Sequence, residues 1–190
     1  MLAKQAGFSE SEARTISKAN EAIDYGKTDP LTIVGGKDIR KQYHGFEADR
    51  EQARLDALAA GDLTTLGARL HHFQDTFSHE NFGAQFGHAF LLNPHAPDKM
   101  SNAPEKAVKA ALGTFEILSK KAAELGKKGF GAPDQNLLMT LAKADANVTD
   151  YDPKTKTLSI EVGKGDALSV AKDLAGQGYK VAIDGVPYNY

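Results

Sequence analysis

Leu66-Gly-Ala-Arg-Leu-His-His-Phe-Gln-Asp-Thr-Phe-Ser-His79 is the stretch on which the reading of this chain turns. An α-helix turns about 100° per residue, so with His71 set at 0°, Asp75 falls near 40°, His79 near 80° and His72 near 100°. Leu66, Leu70, Phe73 and Phe77 gather between about 200° and 260°, and Arg69, Thr76 and Glu80 between about 140° and 180°. The helix therefore has an apolar arc, an ordinary polar arc, and an arc of three histidines and an aspartate. A merely solvated face uses Lys and Glu, which are absent from that third arc. A cluster of histidines satisfied against neighbouring helices is the competing structural reading. Metal ligation accounts better for imidazoles alternating with a carboxylate. Each i, i+4 step rises about 6 Å, which puts His71 and His79 about 12 Å apart along the axis. One ion does not fit both, whereas Asp75 between them is placed to bridge two.

Further ligands come from elsewhere in the chain. Gly87-His88-Ala89 and Pro94-His95-Ala96-Pro97-Asp98 put two His and an Asp in a Pro-broken loop; upstream, His44 follows Tyr43 and Asp24 ends the first helical stretch. All six histidines lie between positions 44 and 95. The candidate metal ligands are thus His44, His71, Asp75, His79, His88 and His95. Asp24 and Asp98 are candidate catalytic carboxylates that orient water where they do not ligate. His72 is either a ligand in place of His71 or a hydrogen-bond support for one. Gln74 and Asn81 are weaker candidates for substrate contact. Ser78 beside His79 makes no catalytic triad, because adjacent helical side chains diverge by about 100° and no nucleophile elbow is present. Gly35-Gly36 lacks the remainder of any phosphate-binding loop pattern.

The 190 residues carry a net charge of −2, which argues against a passive nucleic-acid coat or a polybasic membrane anchor. There is no cysteine, which excludes a disulfide scaffold, a thiolate zinc site, an iron–sulfur cluster and a Cys nucleophile. Zinc, if bound, needs His, Asp or Glu ligands. No apolar run approaches the roughly 18 residues of a transmembrane span. Met1 to Gly7 contains no apolar signal core, so the expectation is a chain cytoplasmic as synthesised, exported only by a carrier.

Helices are expected over 8–26, where Ser9 and Glu12 form a capping box, and over 46–60, 62–80 (capped by Asp62), 104–125 (opened by Pro104) and 134–146. Residues 27–45 and 81–103 read as irregular. Lys156–Val162 and Tyr179–Ile183 read as strands flanking a helix at 166–175. The expected architecture is mainly α: a helical bundle over 1–147 that binds metal, with a small strand–helix–strand appendage over 148–190.

The run from Leu70 to Phe82, followed by Gly87-His88-Ala89 and His95-Ala-Pro-Asp98, resembles the helical zinc-dependent phospholipase C-like family. The nearest branch is a bacterial one related to the C-terminal domains of Rhs-type polymorphic toxins. Ala6–Ala13 leading to Ala19–Tyr25 resembles the opening of that branch. The resemblance spans roughly residues 6–100. It implies an all-α fold holding up to three zinc ions and hydrolysing phosphoester bonds, with an H-x-x-x-D pair falling on His71 and Asp75 and the following His on His79. Its loop elements fall on His88, His95 and Asp98, and its early Asp and His on Asp24 and His44. Long-known members bind metal through an N-terminal Trp, which this chain lacks, and space the Asp and next His by six rather than four. The implied substrate is a phosphodiester, a lipid head group before a single-stranded nucleic acid, with Phe82, Phe86, Phe90, Leu91 and Leu92 as an apolar rim. The toxin branch implies a cognate immunity protein or a larger carrier as partner. A non-catalytic module with a structural metal site is the remaining alternative.

Overall fold

A computed structural model describes residues 1–29, 36–80, 84 and 99–188 of the chain. Among them are eight α-helices and, at the C-terminal end, one four-stranded sheet, so the molecule is mainly α. The body comprises α1 (Leu2–Gln5), α2 (Glu10–Glu21), α3 (Gly36–Tyr43), α4 (Arg50–Leu58), α5 (Leu63–Ser78) and α6 (Pro104–Glu124). None of the described helices is long and apolar enough to cross a membrane.

Local signals set the ends of these helices. Ser9 accepts from the backbone N–H of Glu12 while the Glu12 carboxylate accepts from that of Ser9, closing the capping box. Asp62 accepts from the Thr65 N–H at 2.8 Å and starts α5. The first helix is shorter than its periodicity suggests. It stops at Glu21 and continues as two 3₁₀ turns, Ala22–Asp24 and Gly26–Thr28. Helix α3 corrects the reading of 27–45 as irregular. Gly36 is its first residue, and Asp38 in the first turn and Arg40 and Lys41 in the last favour a helix through its dipole.

Helix α5 is the axis of the body, packed by α2, α4, α6 and α3. Its apolar arc is buried as expected: Leu66, Leu70, Phe73 and Phe77 meet Ile16, Ala53, Ala57, Ile117 and Leu118. Gly67 lets α2 come close, since a Cβ there would press on the Ile16 carbonyl and lie 2.8 Å from the Ala19 Cβ. Thr76 corrects the reading of its arc as ordinary polar surface. It is buried, donates to the Phe73 carbonyl at 2.7 Å and accepts from Arg50 Nε at 3.2 Å. The Arg50 guanidinium lies over the Phe77 ring.

A second core joins α7 (Gln135–Lys143) and α8 (Ala167–Gly176) to a sheet of β1 (Asn147–Asp152), β2 (Thr157–Glu161), β3 (Lys180–Ile183) and β4 (Val186–Tyr188). The strands lie in the order β1-β2-β3-β4, with β2 and β3 parallel and both outer pairs antiparallel. Strand–helix–strand is therefore the middle of the unit, and β1 and β4 extend it. Neither has a strong sequence pattern: β1 buries only Tyr151, and β4 is three residues long with Pro187 on the sheet edge, where a missing N–H costs nothing. Tyr151 donates to Gln5 Oε1 at 2.8 Å, and Gln5 Nε2 donates to the carbonyls of Phe130 and Gly131.

Candidate metal centre

Four ionisable side chains meet where three segments cross. Helix α5 presents His71 and Asp75 from successive turns. The 3₁₀ turn after α2 presents Asp24, and the residue after α3 presents His44. His44 Nδ1 lies 3.2 Å from Asp75 Oδ2 and 3.2 Å from His71 Nε2. His71 Nε2 lies 3.1 Å from Asp75 Oδ2 and 3.4 Å from Asp24 Oδ1, which is itself 3.9 Å from His44 Nδ1. Asp24, His44 and His71 each offer a ligand atom, all within 4.8 Å of one another, and so can hold one metal ion.

The protons on these atoms say more than the distances. His44 Nε2 lies 2.7 Å from the Thr28 carbonyl, which only accepts, so Nε2 carries the proton. In neutral His44 the Nδ1 facing Asp75 is then a bare lone pair. Two carboxylate oxygens and this nitrogen then converge on His71 Nε2, which can bring one proton to them. A hydrogen-bond network alternates donors and acceptors, whereas with His44 neutral these four atoms are three acceptors to one donor, an excess that a second proton on His44 Nδ1 would also relieve. A cation at the centre relieves the excess. Ligands about 2.0–2.1 Å from a tetrahedral ion stand about 3.3–3.4 Å apart, close to the separations here. The Thr28 carbonyl fixes the His44 tautomer as an outer partner does for ligating histidines.

Burial and charge act in opposition at the centre. Burial would raise the Asp75 carboxyl, but hydrogen bonding with His44 and His71 and the positive charge of His71 and His79 hold it well below the usual carboxylate range. Burial would lower His71, yet the hydrogen bond and charge of Asp75, with Asp24 behind it, raise it above an ordinary histidine. His72, lowered chiefly by burial, goes the other way. Side-chain exposure climbs from 1% at His44 and 8% at His71 to 17% at Asp75 and 50% at Asp24. The cluster is thus closed on its histidine side and open to solvent beside Asp24.

The other α5 histidines hold backbone. His72 Nδ1 accepts the Gly45 N–H at 3.3 Å, and His79 Nδ1 donates to the His44 carbonyl at 2.6 Å. His79 Nδ1 is 3.8 Å from Asp75 Oδ2, and its ring stacks on Phe46 with centroids 3.9 Å apart. Of the two neighbours left open by the sequence, His71 is the one that reaches Asp24, His44 and Asp75. Gln74 is turned away from them, accepting from Asn20 and donating to Thr114. Asn81, His88, His95 and Asp98, and with them the proposed apolar rim, lie outside the described residues. Sequence reasoning missed Thr28, whose contribution is a backbone carbonyl and leaves no residue-type signal. It also missed Gly45, for which the position directly after His44 was the available clue. Comparison of the chain with protein-family models, with curated proteins and with solved structures finds no match.

Proposed function

We propose that this protein is a zinc-dependent phosphodiester hydrolase of the phospholipase C-like kind. The observation that carries the reading is the convergence of His44 Nδ1, His71 Nε2, Asp75 Oδ2 and Asp24 Oδ1, an acceptor-rich cluster buried on one side and open on the other. Two imidazoles with carboxylates form a donor set suited to zinc, and an open face distinguishes a catalytic site from a closed structural one. The resemblance of the stretch around residues 70–98 to the zinc-dependent family supports the choice of chemistry.

In this reading His44, His71 and Asp75 hold the ion. A zinc ion held there would supply Lewis-acid polarisation of a phosphoryl oxygen and a water with a pKa lowered towards about 7. The chain supplies the rest. The Thr28 carbonyl keeps the His44 Nε2 proton and so leaves Nδ1 as a lone pair. Asp75 holds both rings at one point. Asp24, at the solvent edge, would orient the attacking water, take its proton as the new P–O bond forms, and return it to the alkoxide that leaves as the ester P–O bond breaks. Tyr25, next in the chain, is 66% exposed and offers an aromatic face to solvent. With a net charge of −2 and so no general attraction for nucleic acid, a lipid phosphodiester is favoured as substrate.

The test is metal analysis of untagged protein, followed by assays on phosphatidylcholine vesicles and single-stranded DNA. Stoichiometric zinc that is lost in His71→Ala and Asp75→Ala, with phosphodiester cleavage slowed in Asp24→Asn, is expected. Sub-stoichiometric zinc unchanged by those substitutions, or zinc-loaded protein inert on both substrates, overturns the reading. Cleavage of DNA alone moves the substrate class to nucleic acid.

A further inference from the structure

Three histidines of α5 and His44 surround one peptide bond, and two of the four grip it rather than the candidate metal position. The carbonyl of His44 and the N–H of Gly45 belong to the same planar peptide, and in a trans peptide they point in opposite directions. The carbonyl accepts from His79 Nδ1 at 2.6 Å, and the N–H donates to His72 Nδ1 at 3.3 Å. Positions 72 and 79 are seven residues apart, which on a helix is about 20° short of two full turns, so they stand on one stripe. The peptide therefore lies along α5, held at both ends. Gly45 makes the approach close enough: its φ is +61°, and a Cβ there would lie 2.6 Å from Thr76 N and 2.8 Å from the Asp75 carbonyl carbon. Phe46 stacks on the His79 ring and closes the same contact from the other side.

We propose that His72 and His79 are positioning residues that clamp the His44–Gly45 peptide onto α5 and so set where His44 Nδ1 stands relative to His71 and Asp75. The inference rests on the zinc reading above and assigns it a mechanism of assembly. His44 follows α3, and fixing its main chain against α5 brings its ring nitrogen to 3.2 Å from His71 Nε2 and Asp75 Oδ2. The clamp supplies that fixation through backbone atoms alone. It also accounts for the density of histidine there: His71 faces the cluster, and His72 and His79 face the peptide.

The test uses the whole chain and zinc itself, with affinity read by competition against a chromophoric chelator. His72→Leu and His79→Leu remove the grips. His72→Asn and His79→Asn retain a hydrogen-bonding atom near the place of Nδ1 but have nothing at Nε2. Each Leu variant is expected to weaken zinc binding by about 10–100-fold, and each Asn variant to recover most of it. Leu variants that bind zinc as tightly as wild type overturn the clamp. So does His79→Asn as weak as His79→Leu, because His79 then acts through Nε2. Should a Leu variant fail to fold, the Asn variant decides alone: binding close to wild type supports the clamp, and a Leu-sized loss overturns it. Wild-type protein that binds no zinc overturns the metal reading, and the clamp's role in it falls too.

Discussion

Asp75 is the residue on which the centre balances. Its carboxylate is half-buried, and its Oδ2 faces His71 and His44 at 3.1 and 3.2 Å. In metal-free protein the two pKa shifts define a window. The Asp75 carboxyl is depressed below its ordinary 3.8, so its contribution to stability is present above that value and is lost as pH falls through the folded pKa. His71 is raised above 6.5, so its contribution is complete below 6.5 and fades as pH rises through the folded pKa. The pair is therefore worth most between about pH 4 and 6.5. Asp75→Asn is expected to destabilise the metal-free protein by on the order of 3 kcal/mol near pH 5 and by less at pH 8. Ring resonances in an NMR titration are expected to show the His71 pKa falling from its wild-type position, since Asp24 alone then opposes burial. Equal destabilisation at both pH values, or an unmoved His71, contradicts this account. Zinc binding has the opposite pH trend to the metal-free pair, rising with pH as His71 gives up its proton.

Helix α5 ties the site to the core as one element, and Gly67 is where that shows. A methyl group at 67 meets the backbone carbonyl of Ile16 and the Ala19 Cβ, and main chain cannot step aside as a flexible side chain would. Gly67→Ala is expected to cost about 1–3 kcal/mol by overpacking, more than the roughly 1 kcal/mol that Ala gains in helix propensity. Because α2 carries the Asp24 turn at its end, zinc affinity is expected to fall with it. Gly61→Ala, whose Cβ meets nothing, should stay within about 0.5 kcal/mol in the same chemical denaturation series. The same element shows how far sequence reading reaches. The apolar arc of Leu66, Leu70, Phe73 and Phe77 and the Asp62 cap are encoded in period and residue type, and both are found as read. The choice of His71 over His72 is not encoded, because it depends on which ring meets a segment some 27 positions away. Thr76 read as surface because its partner Arg50 stands on another helix. Helix α3 was hidden because Gly36, which reads as a breaker, is its first residue. The peptide grip of His72 and His79 leaves no pattern in spacing at all, since its other half is main chain.

At the scale of the whole molecule, two cores share one buried polar joint. Tyr151 in β1 donates to Gln5 in α1, and Gln5 donates onward to the carbonyls of Phe130 and Gly131, with its own carbonyl accepting the Phe130 N–H at 2.9 Å. Both side chains are buried, so cutting the joint strands a polar atom away from water. Tyr151→Phe removes the donor and leaves Gln5 Oε1 unpaired, an expected loss of about 1–3 kcal/mol. The pH dependence follows from the phenol. Burial, with Tyr179 and Asp152 nearby, pushes the Tyr151 hydroxyl up to about 12. A folded pKa raised above the unfolded one favours the protonated form in the fold, so this stability is complete below about pH 10 and drains away as pH climbs towards 12. Urea denaturation of wild type and Tyr151→Phe is therefore expected to show a constant gap from pH 7 to pH 10 that narrows above it. A gap already closed at neutral pH shows instead that the two cores are joined by apolar packing and the Lys4–Asp150 contact. Gln5 would then be an internally satisfied bystander.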